Sequence, residues 1–127
     1  MDNKQLIRFG EFIAKKRIDQ GITLRGMADM LEITPAYLSD IEKSRRNPPD
    51  KPLLEKIATI LKLTEDDKNL MFDLAGKGRC EVSPDLPEYI MSNEVVRVAL
   101  RKAKDVATED DWQQFIDKLS KKGYSVD

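Results

Sequence analysis

The side chains with the most recognition chemistry lie between Thr23 and Asn47, in the stretch TLRGMADMLEITPAYLSDIEKSRRN. Three cations, Lys43, Arg45 and Arg46, crowd its end, and the hydroxyls of Thr34, Tyr37 and Ser39 precede them. These groups donate hydrogen bonds and carry positive charge, which suits holding an anionic polymer and not breaking bonds. The chain has no histidine. That excludes His-ligated metal centres, HExxH zinc proteases and every Ser–His or Cys–His catalytic arrangement. Cys80 is the one cysteine; it cannot form an internal disulfide, and with no histidine to activate it, it reads as a structural thiol. There is no phosphate-binding glycine loop and no paired-carboxylate site, so we expect no enzyme activity, no metal and no cofactor.

Thr23 stands as the N-cap of a short helix of about eight residues, with Leu24, Met27, Ala28 and Leu31 at helical spacing. Thr34-Pro35 then forms a second N-cap with proline at N1, where its missing N–H costs nothing. The third helix, about 35–43, turns Leu38 and Ile41 inward. Small Ala28 allows close approach of the two helices, and Ile33 and Leu38 fix the angle between them. The exposed N-terminal half of helix 35–43 can then enter a major groove about 12 Å wide.

The flanking segments supply the scaffold. Residues 4–20 carry Leu6, Ile7, Phe9, Ile13, Ala14 and Ile18 at helical spacing, closed by Gly21. Gly10 inside this helix costs about 1 kcal/mol against alanine, so packing has to hold it. Lys15 and Lys16 near its end read as a solvated face. Asn47-Pro48-Pro49 must end any helix. A fourth helix begins near Asp50, with Leu53, Leu54, Ile57, Ile60 and Leu61 as its stripe. Thr64 with Asp67 resembles a capping box opening a fifth helix over about 65–75. Met27, Met30 and Met71 read as core filling. Gly76 and Gly78 close the fifth helix, and residues 77–87, with one glycine and two prolines, read as a linker. A second helical unit follows, with helices at about 93–106 and, capped by Thr108, at about 109–121; the tail 122–127 should fray. No strand signal occurs. The expected fold is all-α, divided into 1–76 and 77–127.

The bulk charge argues against a nucleic-acid partner. In 127 residues, 22 Lys and Arg face 23 Asp and Glu, for a net charge of −1. Residues 1–76 hold 13 of each sign, and 77–127 hold 9 basic and 10 acidic. What matters is placement: Lys43, Arg45 and Arg46 crowd one edge of the reading helix. Low bulk charge implies weak non-specific binding and more dependence on base readout. The N-terminus lacks a signal-peptide layout and no apolar run nears the ~18 residues of a membrane span, so we expect a cytoplasmic protein with no membrane partner.

The residues Arg17, Gly21, Thr23, Met27-Ala28, Leu31, Ile33-Thr34, Tyr37-Leu38-Ser39, Ile41-Glu42 and Arg46-Asn47-Pro48 resemble those of the Cro/C1-type (XRE-like) helix-turn-helix regulators. The resemblance runs from Phe9 to about Leu74, and YLSDIEKSRRNP is its most specific part. It implies a five-helix, lambda-repressor-like DNA-binding domain, usually a dimer on a two-fold symmetric operator. By the same resemblance Pro35, Ala36, Tyr37, Ser39 and Asp40 face the bases. Thr23, Thr34, Lys43, Arg45, Arg46 and Asn47 face phosphates. Arg17 and Glu42 form a structural ion pair. Leu24 stands where the family commonly has a DNA-contacting glutamine. Glu32 replaces a usual glycine, so the turn must adopt a conformation that glutamate tolerates. Asp40 would repel phosphates but could accept from a cytosine amine. Pro35 and Ala36 make no bidentate base contacts, so preference would rest on few direct bonds plus DNA shape.

The stripe Trp112, Phe115, Ile116 and Leu119 either packs on the first domain or pairs with a second subunit; a symmetric site favours dimerisation through 80–121. The expected function is a sequence-specific regulator, a repressor, with double-stranded DNA and a homodimer partner, and with a further protein or anti-repressor as a candidate switch. At this length we expect no self-cleaving peptidase domain. The alternative is an antitoxin-like module whose C-terminal unit masks another protein.

Overall fold

A computed structural model describes residues 7–79 and 81–123. Among them are eight helices and no strand. The chain divides into two compact units, 1–85 and 86–127.

The first unit holds α1 (Phe9–Asp19), α2 (Leu24–Leu31), α3 (Pro35–Glu42), α4 (Lys51–Ile60) and α5 (Glu65–Arg79). Each of the first four begins or ends on local chemistry visible in the sequence. Thr23, Thr34 and Asp50 accept from Gly26, Tyr37 and Leu53 N–H and so cap α2, α3 and α4. The C-termini share one device. At Gly21, Glu32, Ser44 and Lys62 the backbone turns left-handed, with φ of 72°, 61°, 60° and 52°. The left-handed residue donates back to the carbonyl three before it, and the next residue donates to the carbonyl five before it: Glu32 N to Asp29 O and Ile33 N to Ala28 O close α2 at 3.1 and 3.0 Å. This double bond satisfies orphaned carbonyls, and an apolar residue after the turn packs back on the helix. Ile22, Ile33 and Leu63 fill that place and lie against the core.

The turn therefore did not reshape itself to suit glutamate. Glu32 takes the left-handed conformation that glycine would have taken, since two backbone hydrogen bonds and the burial behind Ile33 outweigh its local strain.

The core is apolar throughout: Ile13, Met27, Ala28, Leu38, Leu54, Ile57, Met71 and Ala75 are fully buried, and no polar side chain is buried among the described residues. Gly10 is the tightest point. A Cβ there would strike Ile41 O and lie 2.5 Å from Glu42 O. The glycine that weakens α1 locally is what lets α1 lie on the end of α3. Met27 and Met71 fill the core, but Met30 is half exposed, and Ile18 points to solvent on the last turn of α1. Lys16 is not a plain solvated residue. Its ammonium lies 2.8 Å from Asp67 on α5 and over the Phe12 ring at 5.6 Å. Asp67 N–H still donates to Thr64 Oγ1, but the Asp67 carboxylate goes to Lys16 and does not complete a capping box.

α5 runs four residues past the expected end at 75, through two glycines. At Gly76 a Cβ would sit 2.9 Å from Glu81 O, and at Gly78 one would sit 2.8 Å from the Pro48 ring. These glycines serve packing and not helix termination, because the helix needs a bare surface where the segment 81–83 and Pro48 press on it. Glu81 N–H donates to Gly76 O at 2.8 Å, folding that segment onto α5. Cys80, Leu6 and the tail 124–127 lie outside the described residues.

The second unit holds α6 (Pro87–Met91), α7 (Glu94–Val106) and α8 (Glu109–Ser120). α6 was not expected. Pro87 reads as a breaker but occupies its permitted place in a first turn. Arg97 donates to Ile90 O and Met91 O, capping the end of α6. Asn93 caps α7, and Thr108 with Asp111 forms a full capping box on α8. No residue of α6, α7 or α8 is buried.

Candidate nucleic-acid interface

The α2–turn–α3 unit is built to hold α3 still. Leu38 and Ile41 sink into the core at 0% and 1% exposure. Arg17 locks the far end. Its Nε and Nη2 donate to the two Glu42 carboxylate oxygens at 2.8 and 3.0 Å, and Nη1 donates to Ile22 O at 2.9 Å. One guanidinium thus ties α1, the turn into α2 and the end of α3. Both partners are largely shielded, and the paired hydrogen bonds raise the Arg17 pKa above its ordinary value against the opposing pull of burial.

With its inner face fixed, α3 exposes Ala36 and leaves Pro35, Ser39 and Asp40 partly exposed, while the Tyr37 ring packs partly buried against the edge of the core. Thr34 Oγ1 is engaged, accepting from Tyr37 N–H at 3.0 Å, and Thr23 Oγ1 accepts from Gly26 N–H at the same distance. Both hydroxyls can still donate outward. Lys43, Arg45, Arg46 and Asn47 are exposed on the loop after α3. The left-handed Ser44 throws this loop sideways, with Arg45 N–H returning to Asp40 O at 2.8 Å.

Asp40 is not an isolated acid on the reading face. Its two oxygens lie 3.9 Å from Arg45 Nη1 and Arg46 Nε, and the Arg46 guanidinium also sits 4.9 Å over the Tyr37 ring. At that range and exposure the pairs are weak and readily exchanged for a phosphate. They bias where the arginines wait. Leu24 packs partly buried against the core, so α2 presents leucine inward where a glutamine would reach outward.

Two features escaped sequence reasoning. Arg79 Nε donates to Pro48 O at 2.9 Å, pinning the basic loop to the last turn of α5. Lys16 and Asp67 join α1 to α5. Neither leaves a signal in the sequence, because the partners lie 31 and 51 residues apart. Among the described residues no group of three His, Cys, Asp or Glu could hold a metal ion, and no helix is long and apolar enough to cross a membrane.

Residues 13–68 match the family model described as helix-turn-helix. No curated protein and no solved structure matches the chain.

Proposed function

We propose, on the match of residues 13–68 to the helix-turn-helix family model, that the chain is a Cro/C1-type DNA-binding regulator, a dimeric repressor that reads a palindromic operator with α3. The observation that carries this reading is α3 itself: an outward face of Ala36, Ser39 and Asp40, with Tyr37 at its edge, backed by a fixed core face, and with Lys43, Arg45, Arg46 and Asn47 beside it. In this reading Pro35, Ala36, Tyr37, Ser39 and Asp40 meet bases, while Thr23, Thr34, Lys43, Arg45, Arg46 and Asn47 meet phosphates. Arg17 and Glu42 touch no DNA; they hold α3 at its angle. Small Ala36 and Pro35 suit the methyl of a thymine, and Asp40 suits a cytosine amine.

The dimer is supported by the second unit. Trp112, Phe115, Ile116 and Leu119 form one stripe on α8 and are 39–51% exposed. Val95, Val98 and Val106 on α7 are likewise exposed. Soluble monomers rarely leave such a patch uncovered. A helix of 12 residues with no buried side chain is also marginal in water unless something packs on it. A second copy supplies that cover and places two reading helices on one site, as two-fold symmetric half-sites about 34 Å apart require.

The test is recovery of genomic fragments by the purified chain, with sedimentation of the complex. A palindromic motif bound by two chains is the expected result. Recovery of fragments with no common sequence would overturn the reading.

A further inference from the structure

The first unit contains a cleft that the DNA-binding reading leaves unused. It opens between the start of α1, the loop after α3 and the last turns of α5, with a volume of about 430 Å³, inside the range of roughly 300–1,000 Å³ for small-molecule sites. Its walls carry four cations, Arg8, Arg45, Arg46 and Lys77, and no carboxylate. Its floor is apolar, with Phe9, Ile41 and Leu74 each at most 5% exposed.

The charges are only loosely matched among the described residues. Arg8 and Lys77 have no acidic partner within 4.0 Å among the described residues, and Arg45 and Arg46 meet Asp40 only at 3.9 Å. The walls are also tied to one another. Gly10 brings α1 against the backbone of Ile41 and Glu42, Gly78 receives the Pro48 ring, and Arg79 holds Pro48 O at 2.9 Å. An apolar floor ringed by two cations without an acidic partner among the described residues and two that are weakly paired matches a molecule with an apolar body and an anionic head.

We propose that this cleft binds a small amphipathic anion, an aryl or acyl phosphate or carboxylate. Its body lies on Phe9, Ile41 and Leu74, and its head sits among Arg8, Lys77 and the two loop arginines. Arg45 and Arg46 are also the proposed phosphate contacts, so the ligand and DNA compete for the same positive charge. Each therefore weakens the other by an equal factor. This coupling rests on the proposed function; the binding does not.

The probe is 1-naphthyl phosphate, followed by its own fluorescence on the full chain, with 1-naphthol and inorganic phosphate as its two halves. Saturable binding about tenfold or more tighter than either half is expected, and Lys77→Glu or Arg8→Glu should weaken it by about tenfold. Lys102→Glu, an equal charge change on α7, should leave it unaltered. Binding no tighter than 1-naphthol, or equal loss in the Lys102 variant, would overturn the site. On DNA fragments recovered by the chain, 1-naphthyl phosphate should weaken binding, and Lys77→Glu should abolish that effect while the chain still binds DNA. Binding through Lys77 with no effect on DNA would leave the site standing and overturn the coupling.

Discussion

Replacing Glu32 by glycine should stabilise this protein, although the side chain lost is one of the larger ones in the turn. Glu32 has φ 61° and ψ 39°, a conformation that costs a non-glycine residue about 1–2 kcal/mol. Its carboxylate is exposed and has no partner among the described residues, so the substitution removes no contact. It also sits at the C-terminus of α2, where the helix dipole disfavours negative charge by about 0.3–1 kcal/mol. Against these gains stands the extra freedom of glycine in the unfolded chain, about 0.4–1 kcal/mol. The balance is a gain of about 1 kcal/mol, which raises Tm by roughly 4–8 °C in a domain of about this size. Thermal unfolding followed by far-UV circular dichroism reads it directly. The mirror experiment is Gly21→Glu, at φ 72°, which should lower Tm by a comparable amount. A Tm unchanged or lowered in Glu32→Gly would refute the argument that α2 ends under strain.

Gly10→Ala should lower stability by about 1–3 kcal/mol, because its methyl meets two carbonyl groups of α3 that cannot retreat; the same melting experiment checks it. Arg17→Ala strands the shielded Glu42 carboxylate and should cost about 3 kcal/mol, with Arg17→Lys recovering part of it, as denaturant midpoints will show. Because the folded guanidinium holds its proton more tightly than the unfolded one, its contribution is complete below the ordinary arginine range and fades only in more alkaline solution; stability from this pair should be flat from pH 6 to 10 on the arginine side. Ser39→Ala should alter preference among operator sequences, whereas Arg46→Ala should weaken all duplexes evenly and flatten the salt slope by about one; fluorescence anisotropy at several salt concentrations separates them. Phe115→Asp should shift the chain from dimer to monomer in sedimentation while circular dichroism of α1–α5 persists; an unchanged dimer would count against the α8 interface.

The reading unit was legible because its chemistry is local. Thr23, Thr34, Asp50 and Thr108 each bind an N–H within three residues, so one residue type at one position announces a helix start. Left-handed helix ends were legible only at Gly21. Glu32, Ser44 and Lys62 turn the chain in the same way, but a side chain hides a left-handed position from any reader who looks for glycine. The two glycines of α5 misled in the opposite sense. At Gly76 and Gly78 the missing side chain answers to a neighbour, Ser83 or Pro48, that spacing does not reveal. Met30 and Ile18 fell on the apolar faces of their helices yet lie at edges the core does not reach. The basic loop was visible as residues, but its anchorage through Arg79 was not.

That anchorage has a consequence for how the molecule breathes. The loop carrying Arg45, Arg46 and Asn47 has no helix of its own, yet its Pro48 carbonyl is held by the last turn of α5. Loop and helix end thus make one cooperative opening unit. Fraying of the final turn of α5 releases the arginines together with it, and clamping the arginines on an anion slows the fray. Amide-proton exchange near Gly78 should therefore slow when Arg46 holds an anion.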